Sequence, residues 1–591
     1  MLPISQTPPT SGDSAQARAG IELKILTRMQ TVAEQDDQPA PSPDFCVYLP
    51  ERSRTEPHIA LLIFLLSFLY LCIFRRATWI DLDEGIILQG AQRILDGQVL
   101  YREFFSFFTP GSYYLLALVF RVFGDSYLVA HTALAFVGAA FSPVTYLLAR
   151  RVCSRQASLL VTGLMTVTAL PLRFVVLHNW DSTLWACLAL YCAVRLLETP
   201  KAGWAFAAAS FTSLTTLFEQ SKGAGLLLGL ATGFVIITLG GQQRKLFTRG
   251  RLIAIVLGFA WPFLLTLIYF ASHHALTTML ADWFWPLHHY SASNRVPYAY
   301  GNMSNETLHS IFHTGSIPRQ LVTRLVFSPR SWVPYLPLLG VALLIRLAVP
   351  RWRRRTLGPD WAYYVLTSAT ISGLWLSVIA ARADYIHFMF LQPIFFLALA
   401  WLVDGRSIRD RFFMRAAPVL GFCFSMSLLA MAAQPLLFEA MAANTVYTRR
   451  GTVRTHTKDM VIEYIQAFAA PGERILVYPY GSTYYYMTET YSPSRYEYHQ
   501  PGMHSDQQVH EMLSEFSAHP TRIVLYEPAF ADHIPEAWPN TPAAALVRDP
   551  MADYIVRKYR ACAMLTAATS WHFLFMVRND LTCPNREKPS P

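Results

Sequence analysis

The chain has 591 residues, of which 53% are hydrophobic, 14% aromatic and only 15% charged. A water-soluble domain carries roughly a quarter charged residues, so this balance excludes an ordinary cytosolic enzyme and most disordered proteins, and it requires much of the chain to lie in lipid. The formal net charge of +10, from 49 Lys and Arg against 39 Asp and Glu, does not point to nucleic acid, because the basic residues gather in short runs between apolar segments, as in a membrane protein.

Residues 1–56 are rich in Pro, Gln, Ser, Ala and Asp, lack a sustained apolar period and read as a disordered cytoplasmic tail. The first long apolar run, His58 to Phe74, lies too far into the chain for a cleavable signal peptide and reads as a retained helix. Crossing the hydrocarbon core takes roughly 17 to 25 apolar residues, since lipid offers the backbone no hydrogen-bond partners. By that rule the sequence predicts about eleven spans, near 58–74, 126–149, 156–176, 181–198, 203–218, 223–240, 252–271, 331–349, 361–380, 388–403 and 418–438. Gly111 to Phe123 is too short to span, begins after Pro110 and is expected to dip into the interface.

Basic residues mark alternate loops as cytoplasmic: Arg150, Arg151 and Arg155; Arg195 and Lys201; Arg244, Lys245, Arg249 and Arg251; Arg351, Arg353, Arg354 and Arg355; and Arg406, Arg409, Arg411 and Arg415. The N-terminus is then inside, and the opposite loops are 75–125, the turns near 177–181, 219–222 and 381–387, the longer loop 272–330 and the tail. The membrane domain is expected over 57–439, with 75–125 as its first outer loop.

The tail, 440–591, is a different material. Met460, Val461, Tyr464, Ile465 and Phe468 have helical spacing, Ile475 to Tyr478 is a short apolar strand, Ser505-x-x-Gln508 is a capping box, and Arg522 to Tyr526 and Trp571 to Phe575 add strands. The alternation predicts a soluble extracytoplasmic α/β domain. The eight cysteines show no CxxC and no ligand spacing with His, so neither a zinc site nor a disulfide scaffold is indicated, although Cys562 and Cys583 would face an oxidising compartment and could bridge.

The orientation puts the unusual polar clusters on one side. Asp81, Asp83 and Glu84 follow the first span, His178 and Asp181 lie between spans three and four, Glu219 and Lys222 between spans five and six, and Arg382, Asp384 and His387 between spans nine and ten. Ionisable groups at lipid-depth helix ends are costly and usually pair or line a site. Polar anchoring of helix ends would explain any one cluster, whereas four on one face point to a shared external cavity. Ile87, Ala91, Ile94 and Leu95 give the first outer loop an amphipathic helix, expected along the membrane surface, followed by the Phe104-Phe105-Ser106-Phe107-Phe108 run as an apolar ledge. Crowded acids beside such a helix favour a raised pKa and a base.

Weaker signals are the pairs His273-His274 and His288-His289, whose side chains diverge and suit ordinary interfacial histidines more than a metal site, and Trp283, Trp285 and Tyr290, which suit either interfacial anchoring or stacking on sugar. The tyrosines from Tyr478 to Tyr498 suit either acceptor contact or packing of the tail. No metal or cofactor is indicated, though a divalent metal is compatible with the chemistry.

Asp83-Glu84-Gly85, then Ala91-x-x-Ile94-Leu95-Asp96-Gly97, Thr109-Pro110-Gly111-x-Tyr113-Tyr114, Phe123-Gly124 and a span ending in Arg150-Arg151 together resemble the first outer loop of the GT-C glycosyltransferases, within them the protein O-mannosyltransferase and lipid A aminoarabinose transferase superfamily of bacterial type. The resemblance is clear over 57–240, weaker to 440 and architectural in the tail. It implies a mostly α, polytopic GT-C fold, a polyprenyl-phosphate sugar donor, an external active site and inversion at the anomeric carbon. It maps the acidic pair onto Asp83 and Glu84, and a second acidic position onto Asp181. Related aminoarabinose transferases carry a Lys before the interfacial Pro, where this chain has Thr109, which argues against aminoarabinose as the sugar and leaves Lys222 and Arg382 as the available cations.

Sugar transfer from a lipid phosphate needs a base for the acceptor hydroxyl and cations for the leaving phosphate. The expected catalytic residues are Asp83, Glu84 and Asp81. Lys222, Arg382 and His387 are expected on the donor phosphate, and Asp181, His178 and Asp384 on substrate. The expected partners are a polyprenyl-phosphate sugar donor, an envelope acceptor (glycolipid, glycan or protein) and the bilayer of a bacterial inner membrane. The rival readings are a lipid-linked sugar flippase, which would place ionisable residues and broken helices near the midplane, and a non-catalytic scaffold.

Overall fold

The apolar run near residue 58 forms helix α1 (Glu56–Leu71), with Pro57 in a first turn whose N–H groups lack intrahelical partners in any case, and it tightens into a 3-10 turn over Cys72–Arg75. A computed structural model describes residues 55–76, 80–240, 246–290, 293–301, 315–348, 360–404, 411–547, 549–569 and 571–584. The expected tail over 1–54 and the basic residues Arg244, Lys245, Arg351, Arg353, Arg354, Arg355, Arg406 and Arg409 lie outside the described residues.

In chain order the helices continue as α2 (Glu84–Leu95), α3 (Gly111–Phe123), α4 (Tyr127–Ala149), α5 (Arg155–Thr168), α6 (His178–Glu198), α7 (Ala202–Phe218), α8 (Gln220–Leu239), α9 (Arg249–Ser272), α10 (Leu276–Trp285), α11 (Ile317–Trp332), α12 (Leu336–Ala348), α13 (Trp361–Ala381), α14 (Tyr385–Phe390), α15 (Gln392–Asp404) and α16 (Arg411–Met441). Each expected apolar stretch is helical over part or all of its length. Among the described residues, six helices are long and apolar enough to cross a membrane by length and composition: Glu56–Arg75, Tyr127–Ala149, Gln220–Leu239, Arg249–Ser272, Trp361–Ala381 and Arg415–Met441. Leu61, Leu62, Leu65, Leu66 and Leu69 on α1 and Leu252, Ile253, Val256, Leu257, Leu264 and Leu265 on α9 point outward. An outward apolar surface of this extent matches lipid tails and not water. The chain is a multi-pass membrane protein.

Three of the expected spans are interrupted, each beside a proline. The stretch 156–176 stops as a helix at Thr168 and turns through Leu170–Leu172 around Pro171. The stretch 331–349 breaks between Trp332 and Leu336 around Pro334, and 388–403 breaks at Leu391 just before Pro393. Proline removes a backbone donor and clashes with the preceding turn. Where helices do run on, small residues bring them close. On α13 a Cβ at Gly373 would lie 2.2 Å from the Gly225 carbonyl oxygen of α8, so only glycine permits this crossing.

After α16, β1 (Asn444–Thr448) and β2 (Gly451–Thr455) form an antiparallel hairpin. Helix α17 (Met460–Phe468), β3 (Leu476–Tyr478), α18 (Ser482–Thr488), α19 (Asp506–Ala518), β4 (Ile523–Tyr526), α20 (Phe530–Ala537), α21 (Ala543–Val547), α22 (Pro550–Lys558), β5 (Tyr559–Thr566) and β6 (His572–Arg578) follow. The four-stranded sheet has the order β3-β4-β6-β5, with β3 and β4 parallel and the other pairs antiparallel. The Ser505 and Gln508 capping box opens α19, and Cys562 and Cys583 form a disulfide with Cα atoms 5.5 Å apart. The described residues all fall within one compact unit, so the tail packs into the same body as the helices.

Opposite ends of that body carry different contacts. At one end Glu56 pairs with Arg150 and Arg155, Glu198 with Arg151 and Arg195, and Asp404 accepts from the Ser154 N–H. At the other, the tail meets the loop after α1: the Phe105 N–H donates to the Arg495 carbonyl, Arg450 pairs with Asp125, and the Arg382 guanidinium donates to the Ala537 carbonyl. Helix α2 differs from the expectation of an interfacial helix. It is buried almost throughout, with Arg93 paired to Glu497 at 2.7 Å. A Cβ at Gly85 would lie 1.9 Å from the Thr483 backbone nitrogen, so the tail sits directly on its first turn. Phe104, Phe105 and Phe107 are likewise buried, Phe105 and Phe107 against Trp285, and give no open ledge.

Candidate active site

The acidic run after α1 splits into three environments. Glu84, in the first turn of α2, is fully buried, and its carboxylate is held by the His131 ring at 2.6 Å, the Val176 N–H at 2.8 Å and the Tyr127 hydroxyl at 3.0 Å. With those partners it anchors α2 to α4 and to the segment before α6. Asp83 precedes it with a half-exposed side chain, and Asp81 is mostly buried and accepts from the Asp83 N–H at 3.0 Å. Ile80, immediately before, has φ of 51°, a left-handed conformation that a β-branched residue adopts only under constraint, at a cost of about 1 to 3 kcal/mol.

Two residues join Asp81 and Asp83 from elsewhere in the chain. One terminal nitrogen of Arg173 lies 2.7 Å from Asp81 and 3.3 Å from Asp83, and Tyr480 donates its hydroxyl to Asp83. Burial pushes the Asp81 carboxyl up to about 6, with Arg173 opposing the rise and Asp83 and Glu84 adding to it. Asp81, Asp83, Arg173 and Tyr480 line a cavity of about 620 Å³ together with Trp538 and Trp571 of the tail. Arg173 was hidden in the sequence because 156–176 was expected as a span. The helix ends five residues earlier, and an arginine inside an apolar run is itself a signal. No local signal marks Tyr480, Trp538 or Trp571, which reach the site by folding of the tail.

The second cluster lies at the start of α6 and α8. The Lys222 ammonium is buried and donates to the Asn179 carbonyl and Ser182 hydroxyl at 2.8 Å and to the Thr183 hydroxyl at 3.0 Å, with Glu219 at 2.8 Å. It is saturated by protein groups. Asp181 accepts from the Ser112 hydroxyl at 2.6 Å, tying α6 to α3. His178 packs at a tilt against Phe108 with ring centres 4.1 Å apart, and its Nδ1 has no hydrogen-bond partner. His178 is also within electrostatic reach of Glu219, Lys222, His387 and Asp83, which links this cluster to its neighbours.

The third cluster follows α13. Arg382 is buried and donates to Asp384 and the Ala537 carbonyl at 2.5 Å and to Asn294 at 2.9 Å, while Trp538 lies beneath the guanidinium at 5.3 Å. Asp384 caps α14 and also pairs with His387 at 2.6 Å. Burial alone would raise Asp384, but His387 and Arg382 outweigh it and hold the carboxyl well below the ordinary range. Arg173 also senses the Asp384 charge. All four expected clusters therefore belong to one end of the protein, yet only Asp81 and Asp83 line the cavity.

Other sequence signals have structural partners. The Trp283 indole donates to the Tyr101 hydroxyl and the Trp285 indole to the Gln508 side chain, so these tryptophans fasten α10 to the first loop and the tail, whereas exposed stacking or anchoring was expected. Tyr478, Tyr484, Tyr485 and Tyr486 are buried in the tail's packing. Among the described residues no group of three His, Cys, Asp or Glu side chains has the arrangement of a metal site.

No family model and no curated protein matches the sequence. The fold, however, is similar to ArnT from Cupriavidus metallidurans bound to undecaprenyl phosphate, with a TM-score of 0.50 and 12% identity over 89% of this chain and 98% of that one. The same protein in its apo state gives 0.47 and 12% over 90% and 98%. Arabinosyltransferase EmbB from Mycobacterium smegmatis gives 0.36 and 14% over 74% and 46%. The chain shares the fold of that ArnT structure.

Proposed function

We propose that this protein is a membrane glycosyltransferase that moves a monosaccharide from a polyprenyl-phosphate donor to an envelope acceptor, with inversion, at the outer face of a bacterial inner membrane. The observation that carries the reading is the Asp81–Asp83 pair, bridged by Arg173 on the wall of the cavity. The acceptor oxygen attacks the anomeric carbon, the bond from that carbon to the phosphate oxygen breaks with its electron pair leaving on phosphate, and the hydroxyl proton passes to a carboxylate. Asp83, half-exposed, is the proposed base, and Asp81 tunes it through the shared guanidinium. Glu84 acts by fixing α2. His178, with a free ring nitrogen, and Asp181 and Asp384 at the neighbouring turns are proposed to face the substrate. Arg382 contributes positive potential toward the leaving phosphate, His387 is proposed to contact it beside Asp384, and Lys222 adds positive potential from deeper in the helices.

The outer location rests on two supports. Arg150, Arg151, Arg155 and Arg195 gather around Glu56 and Glu198, away from the acidic site, and the Cys562–Cys583 disulfide suits an oxidising compartment. The donor class rests on the fold shared with a protein solved with undecaprenyl phosphate. Purified protein in nanodiscs, supplied with radiolabelled sugar on undecaprenyl phosphate or on a nucleotide, together with an envelope extract as acceptor, tests the reading. Label is expected to move from the lipid-linked donor. Transfer from the nucleotide sugar alone would overturn it.

A further inference from the structure

The cations placed near the cavity differ in how much hydrogen-bonding capacity they have left. Lys222 spends its ammonium on Asn179, Ser182, Thr183 and Glu219, and Arg382 spends its guanidinium on Asp384, Asn294 and Ala537. Releasing either would strand a buried carboxylate, which costs more than a surface pair. Arg173 is built differently. One terminal nitrogen serves both Asp81 and Asp83, its Nε is buried with no hydrogen-bond partner, and its side chain is 26% exposed. Arg173 is also the single Arg or Lys among the described residues that line the cavity. A guanidinium carries five donors in a planar fork suited to two oxygens of one anion. Here that fork is only partly used, and both of its partners are carboxylates that the same cavity exposes to an incoming anion.

We infer that Arg173 is the residue that grips the donor's phosphate, and that it does so by turning its fork from Asp81 and Asp83 onto the phosphate oxygens, so that donor arrival releases the carboxylates for the acceptor. The inference rests on the proposed donor chemistry and adds to it a named residue and an order of events. In the resting protein the guanidinium ties up both acids. Once phosphate takes the guanidinium, the acid nearer the acceptor regains its lone pairs for the hydroxyl proton. The backbone that carries Arg173 is suited to such a turn: residues 173–177 run outside any helix between α5 and α6, and the Arg173 carbonyl is held by the Trp180 indole at 3.3 Å, which fixes the main chain while leaving the side chain free to swing.

The exchange differs from simple charge loss in its dependence on Arg173. Removing the Asp83 charge lifts its direct repulsion of phosphate, which needs no Arg173, and also ends its competition for the guanidinium, which does; the exchange predicts that most of the gain depends on Arg173. The test is binding of undecaprenyl phosphate to full-length protein in nanodiscs, read by tryptophan fluorescence and by displacement of a radiolabelled lipid. Arg173→Gln is expected to weaken binding by about 10-fold or more, as for loss of a charge-assisted pair. Asp83→Asn is expected to tighten it several-fold, a gain that a misfolded protein cannot give. In the double variant most of the gain from Asp83→Asn is expected to be lost, leaving only the part due to direct repulsion. If wild-type protein fails to bind undecaprenyl phosphate, the donor reading falls and this inference with it. If wild type binds but Arg173→Gln binds equally well, or Asp83→Asn tightens binding as much without Arg173 as with it, the inference alone is overturned.

Discussion

Tyr480 donates its hydroxyl to the carboxylate of Asp83, 397 positions earlier in the chain. The tail thus reaches into the acidic site and completes it. Asp83→Asn is expected to lower transfer by about 10²- to 10⁴-fold, the range for loss of a positioned base, with insertion and folding intact because volume is kept. Tyr480→Phe is expected to cost far less, since it removes one hydrogen bond and leaves the carboxylate. Initial rates with lipid-linked donor in nanodiscs measure both. Near-normal turnover of Asp83→Asn would remove Asp83 as the base.

Asp81 makes a pH prediction. Its ordinary value is 3.8, and burial pushes it up to about 6 in the folded protein. Between those values the folded state binds the proton more tightly than the unfolded chain, so the stability from Asp81 is full below about pH 4 and is lost as pH rises through about 6. The loss is on the order of 1 to 3 kcal/mol. Asp81→Asn removes this dependence, so its thermal midpoint is expected to rise relative to wild type between pH 4 and pH 7. The opposite trend would mean that Arg173 stabilises the Asp81 carboxylate more than burial penalises it.

Lys222 is expected to act on stability more than on donor affinity. Lys222→Met leaves Glu219 without the ammonium 2.8 Å away, a stranded buried charge worth about 3 to 5 kcal/mol. Adding Glu219→Gln should recover much of the loss. Thermal unfolding of the single and double variants, set beside undecaprenyl phosphate binding, separates the two roles. A single variant that unfolds normally but no longer binds lipid would make Lys222 a direct phosphate ligand.

Much of the fold was legible because lipid imposes a simple rule, and the apolar stretches near 126–149, 223–240 and 361–380 became α4, α8 and α13 within a few residues. The interruptions at Pro171, Pro334 and Pro393 were written in the sequence too, but run length outweighed them. That error concealed Arg173. The amphipathic pattern of α2 was also correct, yet it had two explanations: an apolar face can meet lipid or a covering domain. Only the tail folding back, with Thr483 against Gly85, decides between them. For the same reason the site was legible as a list of acids and not as a geometry. Asp81, Asp83 and Glu84 differ through Arg173, Tyr480 and His131, and none of those partners is a sequence neighbour.

Topology is open to direct measurement. The tail packs on the first loop, while Arg150, Arg151, Arg155 and Arg195 gather with Glu56 and Glu198 away from it, so under the proposed orientation a reporter active only in the periplasm is expected to work when fused at Ser505 and fail at Gly241. Cys562 and Cys583 are joined, so a membrane-impermeant thiol reagent applied to intact cells is expected to label them only after reduction. Activity of the Gly241 fusion alone would invert the orientation and move every acidic cluster to the cytoplasm.

The tail also makes a prediction about the acceptor. Trp538 and Trp571 line the cavity that holds Asp81 and Asp83. Trp571 meets Phe530 edge to face with centres 5.4 Å apart, and Phe530 stacks on Tyr480 at 6.2 Å, so an aromatic ladder runs through the tail to Tyr480 beside Asp83. The Trp538 indole nitrogen is buried without a hydrogen-bond partner, a donor suited to a hydroxyl or ring oxygen. Aromatic faces take the C–H surface of a sugar ring as they take any apolar face, and the arrangement suits an acceptor whose nucleophilic hydroxyl belongs to a carbohydrate. Trp571→Ala is then expected to raise KM for the acceptor by roughly tenfold, about 1.4 kcal/mol of contact, with a smaller effect on kcat and none on undecaprenyl phosphate binding, while Trp571→Phe retains most of the affinity. Steady-state transfer at fixed donor and varied acceptor, using fractionated envelope glycolipid, separates these constants. A fall in kcat with acceptor KM unchanged would mean that the ladder only holds Tyr480 in place and that the acceptor is recognised elsewhere.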